Sequence, residues 1–525
     1  MAKRLFLSLL TGLLLLTTPS YVMAQSQSLP NPKKVGVGTE QSILGKGNNG
    51  NNETPGEWFV GKSPANPVPN APVLLFVPGL NNVAQIFWEE NGLYEAAYES
   101  GYETTFIQLY DAGGASADMW DNGKLLAEKI EEISAHFQGK PITVIAYSKG
   151  GVDTQAAVAY YGAWQYVDRI ITLSSPHHGS ELADLANSNW AGWLAQLLGL
   201  RGEGTAAVET GYMEYFRSLT DERPYAYVND FYTFGGTDWG SMFSPTWFGG
   251  IYLSNYGAND GVVTAVSTRL PKGEEVAIGN WNHNSIRSNV LFPVLEEYIF
   301  AESQPTKPHS FNAGLEVRPA TIEQYVYGSG LEKNKHTKHA FPIEEAVDKV
   351  NIQLYTASPL DEVQLVDPNG KNYLVTQVAK QNAGFFVGAT GYSIQVDQPM
   401  AGEWSLKMLS DQENAYLLLS QFDKATKQQI LTESPLNRGI TNELSWKMNE
   451  AQVKEESMEM VYTIVESGER IPVMTSTIKG SFHLSKELST LKKNQAYNIT
   501  IDIKGETISG LPFKRTVVDS IYLSE

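Results

Sequence analysis

The stretch Pro141-Ile142-Thr143-Val144-Ile145-Ala146-Tyr147-Ser148-Lys149-Gly150-Gly151 decides how the rest of the chain is read. Ile142 to Ala146 has strand character, with β-branched side chains at Ile142, Thr143, Val144 and Ile145. Val152 to Trp164, with alanines at 156, 157 and 159, has helical character. Strand, tight turn with a serine at its apex, then helix is the layout of a nucleophile elbow. So strained a turn needs small residues two before and two after the serine, and Ala146 and Gly150 stand there. A strand ending in an ordinary turn fits the same pentapeptide, so the elbow has to be weighed against what surrounds it.

The chain has 525 residues, enough for two to four domains. A hydrophobic content of 42% and a charged fraction of 18% describe a globular protein with ample core material. The net charge of −19 argues against nucleic acid or an anionic membrane as the main partner. With no cysteine, disulfides, thiolate catalysis and cysteine metal sites are excluded. At the N-terminus Lys3 and Arg4 precede an apolar run from Leu5 to Leu16, and Val22 and Ala24 stand before Gln25 as in a cleavage site. The run is shorter than the roughly 20 residues a spanning helix needs. Residues 1–24 therefore read as a secretory signal peptide, with a mature protein that is extracellular or periplasmic and has no transmembrane segment.

Residues 25–70 carry Gly47-Asn48-Asn49-Gly50-Asn51-Asn52 and prolines at 64, 67 and 69, and read as a flexible N-terminal segment. Over 71–303 continuous apolar strands alternate with amphipathic helices. The strands are Val73–Val77, Thr104–Tyr110, Ile142–Ala146, Arg169–Ser174, Asp230–Phe234 and Glu275–Gly279. This rhythm predicts an α/β domain whose mostly parallel sheet is covered on both faces. After a polar linker, period-two patterns such as Val350-Asn351-Ile352-Gln353-Leu354 and turns such as Asp367-Pro368-Asn369-Gly370 predict two all-β sandwich modules, over 309–423 and 424–525.

A serine hydroxyl attacks an ester only with a base to take its proton and donors to hold the oxyanion. In the elbow arrangement the acid and then the histidine follow the serine along the chain. Of the eight histidines, His283 alone follows the last predicted strand of the α/β domain and precedes its closing helix. Asp260, in Ala258-Asn259-Asp260-Gly261-Val262-Val263, stands between the two late strands, and Asp238 is its rival. The oxyanion donors expected are the N–H of Lys149 and that of Leu80 in Pro78-Gly79-Leu80. Trp190 and Trp193, in a very apolar segment, read as a core helix or as a lid beside the site. Phe243, Trp247 and Phe248 are candidates to line the same substrate groove.

Four stretches together resemble secreted bacterial lipases and esterases of the α/β-hydrolase superfamily. They are Val77-Pro78-Gly79-Leu80, Ala146-Tyr147-Ser148-Lys149-Gly150, Ser175-Pro176-His177-His178-Gly179-Ser180, and Asn259-Asp260-Gly261-Val262-Val263 paired with Asn280-Trp281-Asn282-His283. The resemblance covers about residues 70 to 302 and implies carboxylic-ester hydrolysis through Ser148, Asp260 and His283, with no cofactor. The sequence departs from many such lipases in having Pro78 and Tyr147 where they have histidine. Ser285 stands where some of them have a calcium-binding aspartate, so no metal ligand is assigned. His177 and His178 read as a hydrogen-bonded loop, since adjacent side chains of an extended segment point to opposite faces.

The function expected is that of a lipase acting on triacylglycerol or another apolar ester at a lipid or polymer surface, with the β-modules as candidate binders of that surface. The alternatives are a polyester depolymerase, a short-chain esterase, and a secreted binding protein on a hydrolase scaffold without turnover.

Overall fold

The continuous apolar runs of the first half form the strands they predict, and two short strands join them. In a computed structural model, residues 29–38, 50–89, 91–199, 202–242, 244–299, 323–381, 384–433, 447–480 and 488–524 are described. Among the described residues the first sheet contains β1 (Lys33–Lys34), β2 (Trp58–Val60), β3 (Val73–Val77), β4 (Thr104–Ile107), β5 (Ile142–Tyr147), β6 (Val167–Leu173), β7 (Asp230–Gly236) and β8 (Glu274–Gly279). They lie in the order β1-β2-β4-β3-β5-β6-β7-β8. All pairings from β4 through β8 are parallel, and β1 and β2 continue the sheet antiparallel beyond β4. The expected signal peptide and the linker after 301 lie outside the described residues.

Alternation along each strand explains why both faces are apolar. Helices α1 (Leu93–Glu99), α2 (Met119–His136) and α3 (Lys149–Tyr160) follow β3, β4 and β5 along the chain, and Leu75, Val77, Val144 and Ala146 share a core with Leu126, Ile130 and Ile133 of α2 and Ala157 and Val158 of α3. Phe76 and Phe106 point the other way and stack at 5.0 Å, with Tyr94 of α1 edge-on to Phe106 at 5.5 Å. Between β6 and β7 the chain makes an excursion through α4 (Glu181–Asn187), α5 (Gly192–Leu198), α6 (Glu203–Ala206) and α7 (Thr210–Thr220), and α8 (Pro245–Leu253) follows β7. This is the α/β-hydrolase fold. No helix among the described residues is long and apolar enough to cross a membrane.

The expectation of a flexible segment over 25–70 is corrected by β2. Trp58 is buried, its indole N–H donates to Glu132 Oε2 of α2 at 3.2 Å, and its strand pairs with β4. Three strand residues in an Asn-, Pro- and Gly-rich setting carry too little periodicity to be seen; pairing with β4 and the packing of Trp58 and Phe59 hold them.

In the second half, β9 (Gln324–Leu331), β10 (Thr337–Ile343), β11 (Lys349–Thr356), β12 (Glu362–Val366), β13 (Asn372–Tyr373), β14 (Thr376–Lys380), β15 (Thr390–Asp397), β16 (Gly402–Leu409) and β17 (Asn414–Asp423) make two sheets. Their orders are β10-β16-β12-β13 and β14-β15-β11-β17-β9. Inward-facing residues of both, among them Phe341, Ile352, Trp404 and Leu418, form one core, which is the packing of a β-sandwich. Beyond it β18 (Leu431–Glu433) pairs with β19 (Lys447–Met448). Then β20 (Glu459–Glu466), β21 (Pro472–Lys479), β22 (Gln495–Glu506) and β23 (Pro512–Leu523) form a single sheet, β21-β20-β22-β23.

That last sheet replaces the second sandwich expected over 424–525. Its apolar residues Ile464, Ile499, Ile501 and Val517 belong to the same core as Leu182, Leu194 and Leu253 of the hydrolase helices and Leu417 of the sandwich. A period-two pattern specifies one buried face but not what covers it, and here the cover comes from the rest of the chain. Residues 31–525 accordingly form one compact unit.

A buried charge cluster fixes β23 to the sandwich. Arg515 Nε donates to Glu323 Oε2 at 2.7 Å, its Nη groups bond Glu344, and Lys424 Nζ lies 3.0 Å from Glu344 Oε1. Arg515 and Glu344 are 0% exposed. Burial alone would raise the Glu344 carboxyl, but Arg515 and Lys424 together hold it below the usual carboxylate range. A carboxyl depressed in the folded state contributes stability that is complete above its unfolded pKa and is lost as pH falls through the folded value. The Arg515→Leu substitution should therefore destabilise the full chain by about 3–5 kcal/mol, because it strands buried carboxylates. Denaturant unfolding near neutral pH measures this, and the gap between the two proteins should narrow in acid, where the carboxylates are neutral in both.

Candidate active site

The elbow takes the geometry its residues require. Ser148, between β5 and α3, has φ 55° and ψ −133°, a conformation costing a non-glycine residue about 1–3 kcal/mol. The sheet order reverses between β3 and β5, so the loops leaving their carboxyl ends open a crevice where ligands bind in such sheets. These loops touch. A Cβ on Gly150 would lie 2.4 Å from Pro78 O, and one on Gly79 would lie 2.6 Å from Ser148 Cβ. Both positions have to be glycine for the β3 loop to rest on the elbow.

The three residues that chain order picks out meet here. His283 Nε2 is 3.1 Å from Ser148 Oγ, and His283 Nδ1 is 2.7 Å from Asp260 Oδ2. Asp260 and His283 are buried, at 0% and 4% exposure. The other carboxylate oxygen, Asp260 Oδ1, accepts the N–H groups of Val262 at 2.9 Å and Val263 at 2.8 Å, and Asp260 O accepts His283 N–H at 2.9 Å. An ionised Asp260 accepts only, which puts the imidazole proton on Nδ1 and leaves Nε2 as an acceptor for the serine hydroxyl. The rival Asp238 approaches Asn282 Nδ2 at 3.5 Å and has no hydrogen bond to His283.

Leu80 and Lys149 N–H make no hydrogen bond to any described residue, whereas Asn81 N–H is occupied by Asp111 Oδ1 at 3.0 Å. Asp111 belongs to a buried polar network that sequence reading missed. Asn122 Nδ2 donates to Asp111 Oδ2 at 2.7 Å and to Asp153 Oδ2 at 3.1 Å. Lys149 Nζ bonds both oxygens of Asp153 at 2.8 and 3.0 Å and lies 3.8 Å from Asp111 Oδ2. Burial alone would lower the Lys149 ammonium, but Asp153 and Asp111 more than offset it and hold it above its ordinary range. The residue after the serine is thus tied by its side chain to the loop that carries Leu80. His177 is buried 3.2 Å from Thr172 Oγ1, with burial and then Arg217 pushing it well below its usual pKa. His178 N–H donates to Ser267 O at 3.2 Å.

The cavity at Ser148 holds about 80 Å³ and is lined by Leu80, Asn81, Asn82, Tyr147, Val262, His283, Asn284 and Arg287. Gly384, Phe385 and Val387, from the turn between β14 and β15, complete its lining. The aromatic residues expected to line a substrate groove are elsewhere. Trp190 packs against Tyr327, with ring centroids 4.6 Å apart and planes tilted by 32°, and donates its indole N–H to Asp502 at 2.9 Å. Trp193 is 59% exposed. Phe248 is buried against Tyr355, and Trp247 packs edge-on to Phe248. Phe243 lies outside the described residues. Trp190, Trp247 and Phe248 are taken up in packing that includes the β layers, which sequence periodicity could not anticipate. The inserted turn had one sequence signal, an apolar triplet between two glycines in Gly384-Phe385-Phe386-Val387-Gly388.

No protein-family model and no curated protein matches the chain. Among solved structures, the Bacillus licheniformis lipase BlEst2 in its propeptide form is 30% identical with a TM-score of 0.75, over 90% of this chain and 98% of that one. The mature form of the same lipase is 42% identical with a TM-score of 0.45, over 47% of this chain and 100% of that one. The chain belongs to the family of bacterial lipases and esterases built on the α/β-hydrolase fold, and is a carboxylic-ester hydrolase.

Proposed function

We propose that Ser148, His283 and Asp260 are the nucleophile, base and orienting acid of this ester hydrolase, and that the chain is exported from the cell. The observation that carries the catalytic reading is the hydrogen-bonded line from Ser148 Oγ through His283 to Asp260. Ser148 Oγ bonds to the ester carbonyl carbon while its proton passes to His283 Nε2. The oxyanion faces the N–H groups of Leu80 and Lys149. Collapse expels the alcohol, which takes the proton from His283, and water repeats the sequence on the acyl-enzyme. Asp260 stabilises the imidazolium in both steps. Leu80 and Val262 give the cavity an apolar side, which supports an ester with an apolar part. Export is supported by the Lys3-Arg4 and Leu5–Leu16 pattern.

A second reading concerns the β layers. Phe385 and Val387 share the cavity with Ser148, leaving little room for an ester. The Bacillus licheniformis lipase structure that aligns with 90% of this chain is of a propeptide form. Both observations support a self-capped precursor in which the second half covers the site until it is displaced, rather than a module that binds a lipid or polymer surface.

Ser148→Ala should reduce turnover of p-nitrophenyl butyrate by about 10⁴-fold or more with unfolding unchanged; retained turnover would remove Ser148 from the mechanism. Asp111→Ala frees Asn81 N–H and loosens the oxyanion loop. It should lower kcat by about 10–100-fold with a smaller change in KM, whereas a change in KM alone would contradict the positioning role. Cutting the full chain at a protease site engineered within residues 300–322, then dissociating the fragments, should raise activity by roughly tenfold or more if the second half excludes substrate. Unchanged or lower activity after separation would contradict the cap.

A further inference from the structure

We infer, on the reading of Ser148 as nucleophile, that Arg287 selects esters bearing a second, anionic group, a carboxylate or phosphate close to the scissile bond. Val262 and Phe385 form one side of the cavity, while Asn81, Asn82, Asn284 and Arg287 make another part of its lining polar. In a chain of net charge −19, a cation at the mouth of the site runs against the overall field, which repels anions.

Arg287 is held in place with no carboxylate partner among the described residues. Its Nη1 donates to Ile86 O at 2.9 Å, and its guanidinium lies 5.3 Å from the centre of the Tyr147 ring. Its Nε is buried without a hydrogen-bond partner, and no carboxylate forms an ion pair with Arg287 among the described residues. The carboxylate nearest the chemistry, Asp260, is committed to His283 and two backbone N–H groups. Arg287 is half-buried, and fully buried cations among the described residues have carboxylate partners: Lys149 has Asp153, and Arg515 has Glu323 and Glu344.

The position also has a catalytic consequence. Tyr147, on which Arg287 sits, has its ring centre 5.0 Å from that of His283. An uncompensated cation there opposes the imidazolium that forms when His283 takes the serine proton. A substrate anion on Arg287 cancels that opposition in the step where it matters, so the anionic ester gains in kcat as well as in binding. Guanidinium suits carboxylate and phosphate alike through paired N–H donors, and both sources belong in the test.

The experiment compares phenyl butyrate with mono-phenyl succinate and with meta-carboxyphenyl butyrate, which place a carboxylate on the acyl and alcohol sides. A phenyl butyrate analogue phosphorylated on the ring is the phosphate arm. The quantity read is the ratio of kcat/KM, anionic over neutral, within one preparation of the full chain, so any capped fraction cancels. Arg287→Gln should lower that ratio by roughly tenfold or more for at least one anionic ester. Arg287→Lys, which keeps the charge, should lower it less, and added salt should lower it in the unaltered chain. A ratio that Arg287→Gln leaves unchanged, with all esters slowed alike, would reduce Arg287 to a prop for Tyr147 and overturn the inference. Calorimetric binding of the same esters to Ser148→Ala, with and without Arg287→Gln, reads the preference without turnover. Absence of ester cleavage by the unaltered chain would count against Ser148 as nucleophile, and the binding preference would still decide Arg287.

Discussion

The site depends on one close approach, that of the loop after β3 to the turn after β5. Gly79 and Gly150 have no space for a Cβ, and each would strike the other loop. This contact brings Leu80 and Ser148 to the lining of one cavity. It also accounts for the buried network beneath. Asp111 holds Asn81 N–H, Lys149 reaches the Asp111–Asp153 pair, and Asn122 bridges the two carboxylates. A charged lysine in a protein interior is costly unless paired and hydrogen-bonded, and here the pairing joins the two loops that line the cavity at Ser148.

The second half packs on the hydrolase helices through a shared core. Buried residues of the helical excursion between β6 and β7, among them Leu182, Leu185 and Leu194, join those of β20, β22 and β23 in one core. Polar contacts accompany this packing: Asn498 Nδ2 of β22 donates to Asp184 O of α4 at 2.8 Å, and Gln421 Nε2 of β17 donates to Ile251 O of α8 at 2.8 Å. The turn carrying Phe385 then lies against Val262, which follows Asp260 by two residues. Packing in the second half and access to Ser148 are therefore linked through a shared surface.

Much of the first half was legible because its strands are continuous apolar runs between turn signals, a pattern that a parallel sheet covered on both faces imposes. Ser148, Asp260 and His283 could be picked out because chain order and strand ends restrict each to few positions, and the structure brings the three together. Trp190, Trp247 and Phe248 were misplaced for a physical reason: an aromatic residue on an apolar helix looks the same whether a ligand or another layer of the chain covers it. Trp58 escaped notice because its strand is too short to show a period. Arg287 and Asp111 were invisible because their roles depend on neighbours far away in sequence, such as Tyr147 and Asn81.

The most direct test of the account is covalent labelling with a fluorophosphonate, which traps an activated serine by losing fluoride, followed by peptide mass mapping. The proposed triad predicts one adduct, on Ser148, abolished by His283→Ala and formed faster once the second half has been cut away. An adduct on another residue, or no adduct after removal of the cover, would contradict it.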